Sequence, residues 1–298
     1  MPANPESSQK NAFSAMGKGR YNYDACHAYH EKWGLFGLHC HDFYEFYIHH
    51  HGAKYFCVDS RVYPLEENHL VVVPPFLMHG LIGDTIPTDY ERSFLYISPD
   101  MLKACGADQL DLEQFITQHM SSSQHHFRLT GAEADECRRL LSRLMEMQND
   151  PDHLTQLENC ISILQFLHII CRVMKRSQDL VEPIVVNKVT KDILSYVNEN
   201  YASPFRLEDI ARRFNVSVSF LSHEFVRYTG RSVYDYVLYR RILLAQKMIH
   251  TGQPFNEIAY CCGFNDYSSF LRAFTKTTGM SPSAYRKANR PLRAKAPG

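Results

Sequence analysis

The stretch "GFNDYSSFLRAFTKTTGMSPSAYR" at residues 263–286 has the pattern of a short helix between a turn and a glycine. The Asp266 side chain can cap the first turn of such a helix, and Gly279 can end it. Phe270 and Phe274 are four residues apart and would share one face, which must be buried. The stretch therefore predicts a capped helix with one apolar and one polar face.

The same pattern occurs twice in the last third of the chain. "LEDIARRF" at 207–214 matches "FNEIAYCC" at 255–262 with an offset of 48 residues. "FLSHEFVRYTGRSVYDY" at 220–236 then matches residues 269–285 with an offset of 49, so one residue is inserted in the turn between the segments. Each copy has a small alanine in its first helix and a capping residue and terminal glycine for its second helix: Ala211, Ser217 and Gly230, then Ala259, Asp266 and Gly279. This repeat indicates paired helix-turn-helix units.

Residues 263–286, preceded by "EIA" at 257–259, resemble the signature of the AraC/XylS transcription regulators. The resemblance covers roughly residues 190–288. It implies an all-helical domain in which one long helix, at about 232–250, joins the two helix-turn-helix units. The residues of that helix expected to face inward are Tyr236, Ile242, Leu243, Ala245 and Met248.

The second helix of each unit is the expected recognition helix. If Leu221 and Phe225 are buried, as Phe270 and Phe274 are in the second copy, the opposite faces remain for DNA. The candidates are Ser219, Ser222, His223 and Arg227 in the first helix and Tyr267, Ser268, Leu271 and Arg272 in the second, with Lys276 as a further DNA-binding residue. Arg272 is the strongest candidate for a base contact, because arginine can bind guanine O6 and N7 together. Lys276, Arg240 and Arg241 are either phosphate contacts or part of a solvated basic surface.

Charge is divided unequally along the chain. Residues 188–298 carry 17 lysines and arginines against 8 acidic residues, a net charge of +9, whereas residues 1–187 carry 15 against 24, a net charge of −9. A basic module favours a polyanionic partner such as double-stranded DNA. The acidic part is expected to have another role.

"HCHDFYE" at 39–45 lies in a region of short apolar runs and turn residues, which predicts antiparallel strands. In an extended strand alternate side chains share a face, so His39 and His41 should point the same way. The spacing to Glu45, Gly52, Pro74 and His79 resembles a cupin, a small antiparallel barrel. Asn68 and Phe76 stand where the second half of that motif usually has glycines.

The cupin resemblance leaves two roles open for the histidines. In metal-dependent cupins the ligands would match His39, His41, Glu45 and His79, a set that suits a divalent transition metal. Sensor versions of this barrel often keep the histidines without a metal, so we expect these four residues, with Tyr47 and Arg92, to contact an effector and no metal cofactor to be bound. The run His49, His50 and His51 alternates across a strand and is not expected to converge as a trio.

Between Thr130 and Lys175 the apolar spacing becomes helical, beginning with a capping box of Thr130 and Glu133. A second helix has a wide apolar face that includes Leu157, Ile161, Leu164 and Cys171. That face is either core or the contact of a homodimer. Residues 176–187 are the expected linker.

The composition is that of a globular protein, with 298 residues of which 45% are hydrophobic and 21% charged. The nine cysteines include no C-x-x-C pair, which favours reduced thiols. The first twenty residues contain no apolar run of signal-peptide length, and the apolar run at 161–171 is interrupted by Gln165 and His168. We therefore expect a cytoplasmic protein without a membrane span.

Together these features predict an α+β protein. Residues 1–129 would form a cupin-type antiparallel β-barrel, or jelly roll, that binds an effector. Residues 130–187 would form a helical dimerisation segment and linker, and residues 188–298 an all-α domain with two helix-turn-helix units. The expected function is sequence-specific transcription regulation in response to a small polar metabolite such as a carbohydrate, with no catalytic residues. RNA polymerase would be a further partner of an activator. The alternative is a cupin metalloenzyme, an oxygenase or sugar isomerase, with an accessory nucleic-acid-binding module.

Overall fold

The computed structural model describes residues 23–32, 38–59, 61–82, 87–106, 110–120, 124–176, 188–204, 206–249 and 251–288. The chain divides into two compact units, residues 1–187 and 188–298. All of the expected linker after Arg176 lies outside the described residues.

The first unit forms two antiparallel sheets in the part of the chain that the structure describes. Its strands are β1 (Tyr23–Lys32), β2 (Tyr44–His51), β3 (Tyr55–Val58), β4 (Arg61–Pro64), β5 (His69–Val73), β6 (His79–Ile82), β7 (Thr88–Ile97) and β8 (His126–Arg128). The larger sheet has the order β1-β7-β2-β5-β8 and the smaller one the order β4-β3-β6. Tyr47 and Val71 of the larger sheet share a core with Phe56 and Tyr63 of the smaller one. The two sheets therefore face each other, as the cupin-type prediction requires.

The two turn positions that lack glycine nevertheless take the backbone conformation that glycine favours. Asn68 has φ 62° and Phe76 has φ 64°. Asparagine tolerates this left-handed region, whereas for Phe76 it costs about 1–2 kcal/mol. The Phe76 N–H donates to the His41 carbonyl oxygen at 2.7 Å. The turn thus keeps its shape and holds the segment that precedes β2.

Four helices among the described residues follow the barrel strands or lie between them: α1 (Pro99–Gly106), α2 (Leu112–His119), α3 (Gly131–Met147) and α4 (His153–Lys175). Helix α3 begins with the predicted capping box, in which Thr130 and Glu133 each accept a backbone N–H of the other residue. The helices cover the outer face of the larger sheet. There Phe166 of α4 meets Phe46 of β2 edge to face, with ring centroids 5.9 Å apart.

Helix α4 has two apolar faces. Ile163, Phe166 and Ile170 are buried in the core against the sheet. The opposite face exposes four large apolar side chains, with exposed fractions of 71% for Leu154, 57% for Leu157, 45% for Ile161 and 44% for Leu164. Among the described helices α4 is also long and apolar enough to cross a membrane by length and composition, a test that core helices pass as well.

The second unit is entirely helical where it is described. Its helices are α5 (Lys188–Asn200), α6 (Leu207–Arg213), α7 (Val218–Thr229), α8 (Val233–Ile249), α9 (Phe255–Cys261), α10 (Tyr267–Thr278) and α11 (Pro282–Ala288). Helix α8 is the predicted joining helix. It buries Tyr236, Ile242, Leu243 and Ala245 as expected, and Met248 is half-buried.

The turns of the two helix-turn-helix units repeat each other in backbone geometry. Asn215 (φ 52°) and Gly263 (φ 85°) are both left-handed. The N–H of the next residue then bonds back to the alanine of the preceding helix, Val216 to Ala211 at 2.9 Å and Phe264 to Ala259 at 3.0 Å. Since these pairs keep the offset of 48 residues and the caps have 49, the inserted residue is Asn265.

Replacing Gly263 by alanine should destabilise the second unit strongly. A Cβ atom there would lie 2.2 Å from the Ala202 carbonyl oxygen, on a backbone that is already left-handed. Gly279→Ala is the matched control, because its φ is +72° and no atom lies within 4 Å of its Cβ position. We expect a loss of about 1–2 kcal/mol for the control and a clearly larger one for Gly263→Ala. Urea unfolding followed by helical circular dichroism would measure both, and equal losses would exclude the close approach.

Candidate effector site and recognition helices

The two recognition helices, α7 and α10, begin and end where the sequence predicts. The Ser217 hydroxyl accepts the Phe220 N–H at 3.1 Å, and the Asp266 carboxylate accepts the Ser269 N–H at 2.7 Å. Both helices end at a left-handed glycine, Gly230 or Gly279. Such caps satisfy the backbone groups at the ends of each helix, so the helices are defined largely by local sequence.

The buried and exposed faces of these helices also agree with the prediction. Leu221 and Phe225 are buried in α7, and Phe270 and Phe274 are buried in α10. The exposed candidates are Ser219, His223, Arg227, Tyr267, Ser268, Arg272 and Lys276, and Ser222 is half-buried. Leu271 is half-buried as well, and the contacts of all these residues with DNA remain predictions.

The two candidate arginines have different neighbours. Arg227 Nη2 lies 3.1 Å from Glu224 Oε2, whose carboxylate offsets its charge. Arg272 Nη2 instead donates to the Ser269 hydroxyl at 3.4 Å, a long and weak hydrogen bond. Arg272 is therefore better able than Arg227 to exchange its neighbour for a base.

Arg241 has a role that the sequence did not indicate. Its Nε donates to the Tyr201 carbonyl at 2.7 Å and its Nη2 to the Ser203 carbonyl at 3.0 Å. The Arg240 guanidinium lies over the Tyr201 ring, 4.9 Å from its centre. Arg241 thus holds the loop after α5, and it is neither a free phosphate contact nor simply solvated.

In the first unit, the fold brings His39, His41, Glu45 and His79 together. The main chains of His39 and His79 form a bridge, with N–H to carbonyl distances of 2.9 and 2.8 Å. His41 Nε2 and His79 Nε2 then lie 3.0 and 2.9 Å from the same oxygen, Oε2 of Glu45. His41, Glu45 and His79 are buried, and His39 is half-buried.

The hydrogen bonds of the other ring nitrogens fix what this cluster can bind. His41 Nδ1 lies 2.9 Å from the Phe43 carbonyl and His79 Nδ1 lies 2.7 Å from the Leu77 carbonyl. Because a carbonyl only accepts, each Nδ1 carries a proton, and in a neutral imidazole Nε2 then presents a lone pair. That lone pair faces a carboxylate oxygen, which is also an acceptor. A cation is needed between them, either an added proton or a metal ion.

Electrostatics keep Glu45 ionised. Burial would raise the pKa of its carboxyl, but the hydrogen bonds and charges of His41 and His79 hold that pKa well below its usual range. Burial lowers the pKa of His41, and the bond to Glu45 opposes this. The donor set of three imidazoles and a carboxylate, with Nδ1 groups anchored on carbonyls, fits a divalent transition metal.

Next to this cluster the barrel interior is aromatic and positively charged. The hydroxyls of Tyr47 and Tyr90 lie 2.9 Å apart. The Arg92 guanidinium lies 4.8 Å from the centre of the Tyr90 ring. Burial would lower the pKa of Arg92, but the tyrosines and Glu45 raise it above its ordinary value, so the side chain stays charged. Arg92 and Tyr47 therefore lie with the histidine cluster in one buried polar interior.

Sequence models of known families match both units of the chain. The AraC-like ligand binding domain matches residues 23–168, and a helix-turn-helix domain matches residues 210–288. The chain belongs to the AraC/XylS family of transcription regulators. The first match covers the barrel and most of the helices that pack on it, and the second covers both recognition helices.

The relatives and solved structures that this chain is similar to match it over different shares of their length. The transcriptional activator RhaS of Escherichia fergusonii is 26% identical over 264 residues, 85% of this chain and 88% of RhaS. The HTH-type regulator YdiP of Escherichia coli is 36% identical over 98 residues, which are 33% of this chain and 32% of YdiP. A structure of ToxT from Vibrio cholerae, 14% identical, aligns over 90% of this chain and 99% of ToxT with a TM-score of 0.35.

Strand β2 of the barrel contains a bulge that the sequence did not indicate. The pairing of β2 with β7 shifts between His49 and His51. His49 faces the interior, where its Nδ1 lies 3.2 Å from the Tyr47 hydroxyl. His50 and His51 both contact β7, at Ser93 (2.8 Å) and Glu91 (2.7 Å). The three histidines do not converge, as expected, but two of them share one neighbourhood.

Proposed function

We propose that this protein is a transcription regulator whose barrel binds a small polar metabolite and whose helix-turn-helix domain binds specific double-stranded DNA. The main support is Glu45, a carboxylate held by two imidazoles inside a barrel of the ligand-binding type. Apolar residues would pack such an interior with less desolvation penalty, so a buried ionic cluster favours a binding role. The proposed effector contacts are His39, His41, Glu45, Tyr47, His79 and Arg92.

The chemistry of these contacts favours a molecule with several hydroxyl or acidic groups. Histidine, glutamate and arginine offer both donors and acceptors, and the neighbouring tyrosines offer flat apolar faces. A carbohydrate combines hydroxyls with an apolar ring face and suits this set. Its binding must favour one state of the regulator over another, because equal affinity for both states shifts neither.

A metalloenzyme is the second candidate, and the observation that favours it is the approach of two imidazole Nε2 atoms to one oxygen of Glu45, at 3.0 and 2.9 Å. His41, Glu45 and His79, with His39, would hold the ion, which would supply Lewis-acid chemistry. The regulator is the better proposal, because the second unit contains two capped helices in a matched helix-turn-helix domain. On this proposal the protein is not an enzyme and acts in the cytoplasm, where its DNA is.

Glu45→Gln should abolish the response of a reporter gene to the effector, found by screening a metabolite panel, while residues 188–298 still bind DNA. The substitution keeps the size of the side chain but removes the charge that holds His41 and His79. Glu67→Gln, at an exposed position of the same unit, is the control and should respond normally.

A full response from Glu45→Gln would contradict the proposed effector site. Stoichiometric zinc, iron or nickel in untagged protein, together with turnover of a metabolite from the panel, would contradict the sensor proposal and support the metalloenzyme.

Arg272→Ala should relax base preference at one position and weaken specific binding by about 1–3 kcal/mol, because one bidentate contact with guanine is lost. Lys276→Ala, one turn further along α10, is the matched comparison. Because Lys276 is a proposed phosphate contact, its loss should weaken binding to all DNA sequences. The slope of log affinity against log salt concentration should fall in magnitude by about one. Binding of purified protein to a randomised DNA library measures both effects, and unchanged selectivity of Arg272→Ala would assign base reading elsewhere.

We propose further that two copies of the protein associate through the exposed face of α4. Leu154, Leu157, Ile161 and Leu164 are spaced by three, four and three residues, which is the seam of a two-stranded coiled coil. The protein would act as a homodimer. RhaS is named an activator, and if this protein activates transcription as well, RNA polymerase would be its further partner.

Ile161→Glu or Leu164→Glu should shift the protein from dimer to monomer at micromolar concentration, because two charges would meet in an apolar seam. Ala104→Glu, which adds the same charge at an exposed position of α1, should leave the dimer intact. Sedimentation velocity distinguishes the two species. A monomeric wild-type protein under these conditions would rule out the proposed association.

A further inference from the structure

A second cluster of metal-binding side chains lies on the outer face of the larger sheet. His27 of β1, His50 of β2 and Glu91 of β7 each place a possible ligand atom within 4.8 Å of the others. His27 Nε2 lies 3.2 Å from one oxygen of Glu91, and His51 Nε2 lies 2.7 Å from the other. Three neighbouring strands therefore contribute to one group.

The bulge in β2 creates this arrangement. In a regular strand His50 and His51 would point to opposite faces. The register shift between His49 and His51 places an extra residue in β2, so that both histidines reach β7. The rings of His50 and His27 are then 5.7 Å apart, between centroids. His50 thus reaches Ser93 and His51 reaches Glu91 on the same strand, and such bulges are often found next to sites of function.

Ser93 contacts the imidazoles of both His27 and His50. Its hydroxyl is 2.9 Å from His27 Nδ1 and 2.8 Å from His50 Nε2. A hydroxyl can donate to one ring and accept from the other, so Ser93 orients both. With Ser93 at His27 Nδ1, the other nitrogen of His27 points to Glu91.

The cluster is open to ions from solvent, unlike the one inside the barrel. The exposed side-chain fractions are 36% for His27, 51% for His51 and 26% for Glu91. Arg138 of α3 adds positive charge near His50, but it is itself paired with Asp135 at 2.9 Å. Among the described residues, the ion-pair partners of the Glu91 carboxylate are therefore histidines, and none is a lysine or arginine.

We propose that His27, His50 and Glu91 form a binding site for a divalent transition metal ion of the zinc type, with His51 as a further ligand. Imidazole and carboxylate ligands suit zinc, nickel and copper, whereas magnesium and calcium prefer all-oxygen sites. The ion would replace the protons that these side chains share and would link β1, β2 and β7. Because it binds the folded sheet and not the unfolded chain, it would stabilise the first unit.

The test is a zinc titration of untagged full-length protein stripped of metal by a chelator. Calorimetry gives the number of ions and their affinity, and cobalt absorption reports the ligand geometry. His27→Ala and Glu91→Gln are both at partly exposed positions and should each weaken one equivalent at least about tenfold. His30→Ala, on the same strand, is the matched control and should bind as the wild type does. Zinc should raise the thermal midpoint of the wild type and the control only.

The Glu45→Gln background separates this site from the cluster inside the barrel. One zinc equivalent that survives Glu45→Gln and is lost on adding His27→Ala supports the proposal. The absence of zinc binding at micromolar concentration would overturn it. An equivalent that persists in His27→Ala and Glu91→Gln but disappears in Glu45→Gln would also overturn it, since the ion would then lie inside the barrel.

Discussion

A negative charge inside the barrel, on Glu45, is the constraint that organises the first unit. An isolated carboxylate in such a place is strongly disfavoured, so its neighbours must hold it in place with polar groups and a shared proton or metal ion. His41 and His79 lie 3.0 and 2.9 Å from it, and they come from two segments that the main-chain bridge of His39 and His79 joins. Phe76 takes a left-handed conformation next to this bridge and donates its N–H to the His41 carbonyl. The buried charge of Glu45 and the strained backbone of Phe76 thus lie close together at the proposed effector site.

Both faces of the larger sheet make contacts within the first unit. Strand β2 is buried from Tyr44 to His50, since one face lines the barrel and the other packs under α3 and α4. Its polar residues are therefore divided between two sites, Glu45 and His49 inside and His50 outside. At the bulge before His51, the regular alternation of side chains between the two faces is interrupted. A single strand in this way connects the proposed effector site, the helical layer and the proposed metal site.

The two helix-turn-helix units show how one fold can carry different surfaces. Their turns share a left-handed residue and the same backbone hydrogen bond, yet one uses Asn215 and the other Gly263. The close approach of Ala202 explains why the second turn needs glycine. The recognition helices differ in the direct partner of their arginine, which is the Glu224 carboxylate for Arg227 and the Ser269 hydroxyl for Arg272. The backbone is thus conserved between the copies, whereas the chemistry presented to DNA is not.

The sequence by itself determined the features that depend on a few consecutive residues or on repetition. These include the caps at Ser217 and Asp266, the capping box at Thr130 and the left-handed glycines, because each is satisfied within one helical turn. It also indicated the family, since the motif residues lie close together in the chain. Only the tertiary structure decided which apolar face of α4 is left exposed, that Arg241 holds a loop, and that His50 joins Glu91. Those outcomes depend on the bulge in β2 and on packing between segments far apart in sequence, which a pattern within one segment does not fix.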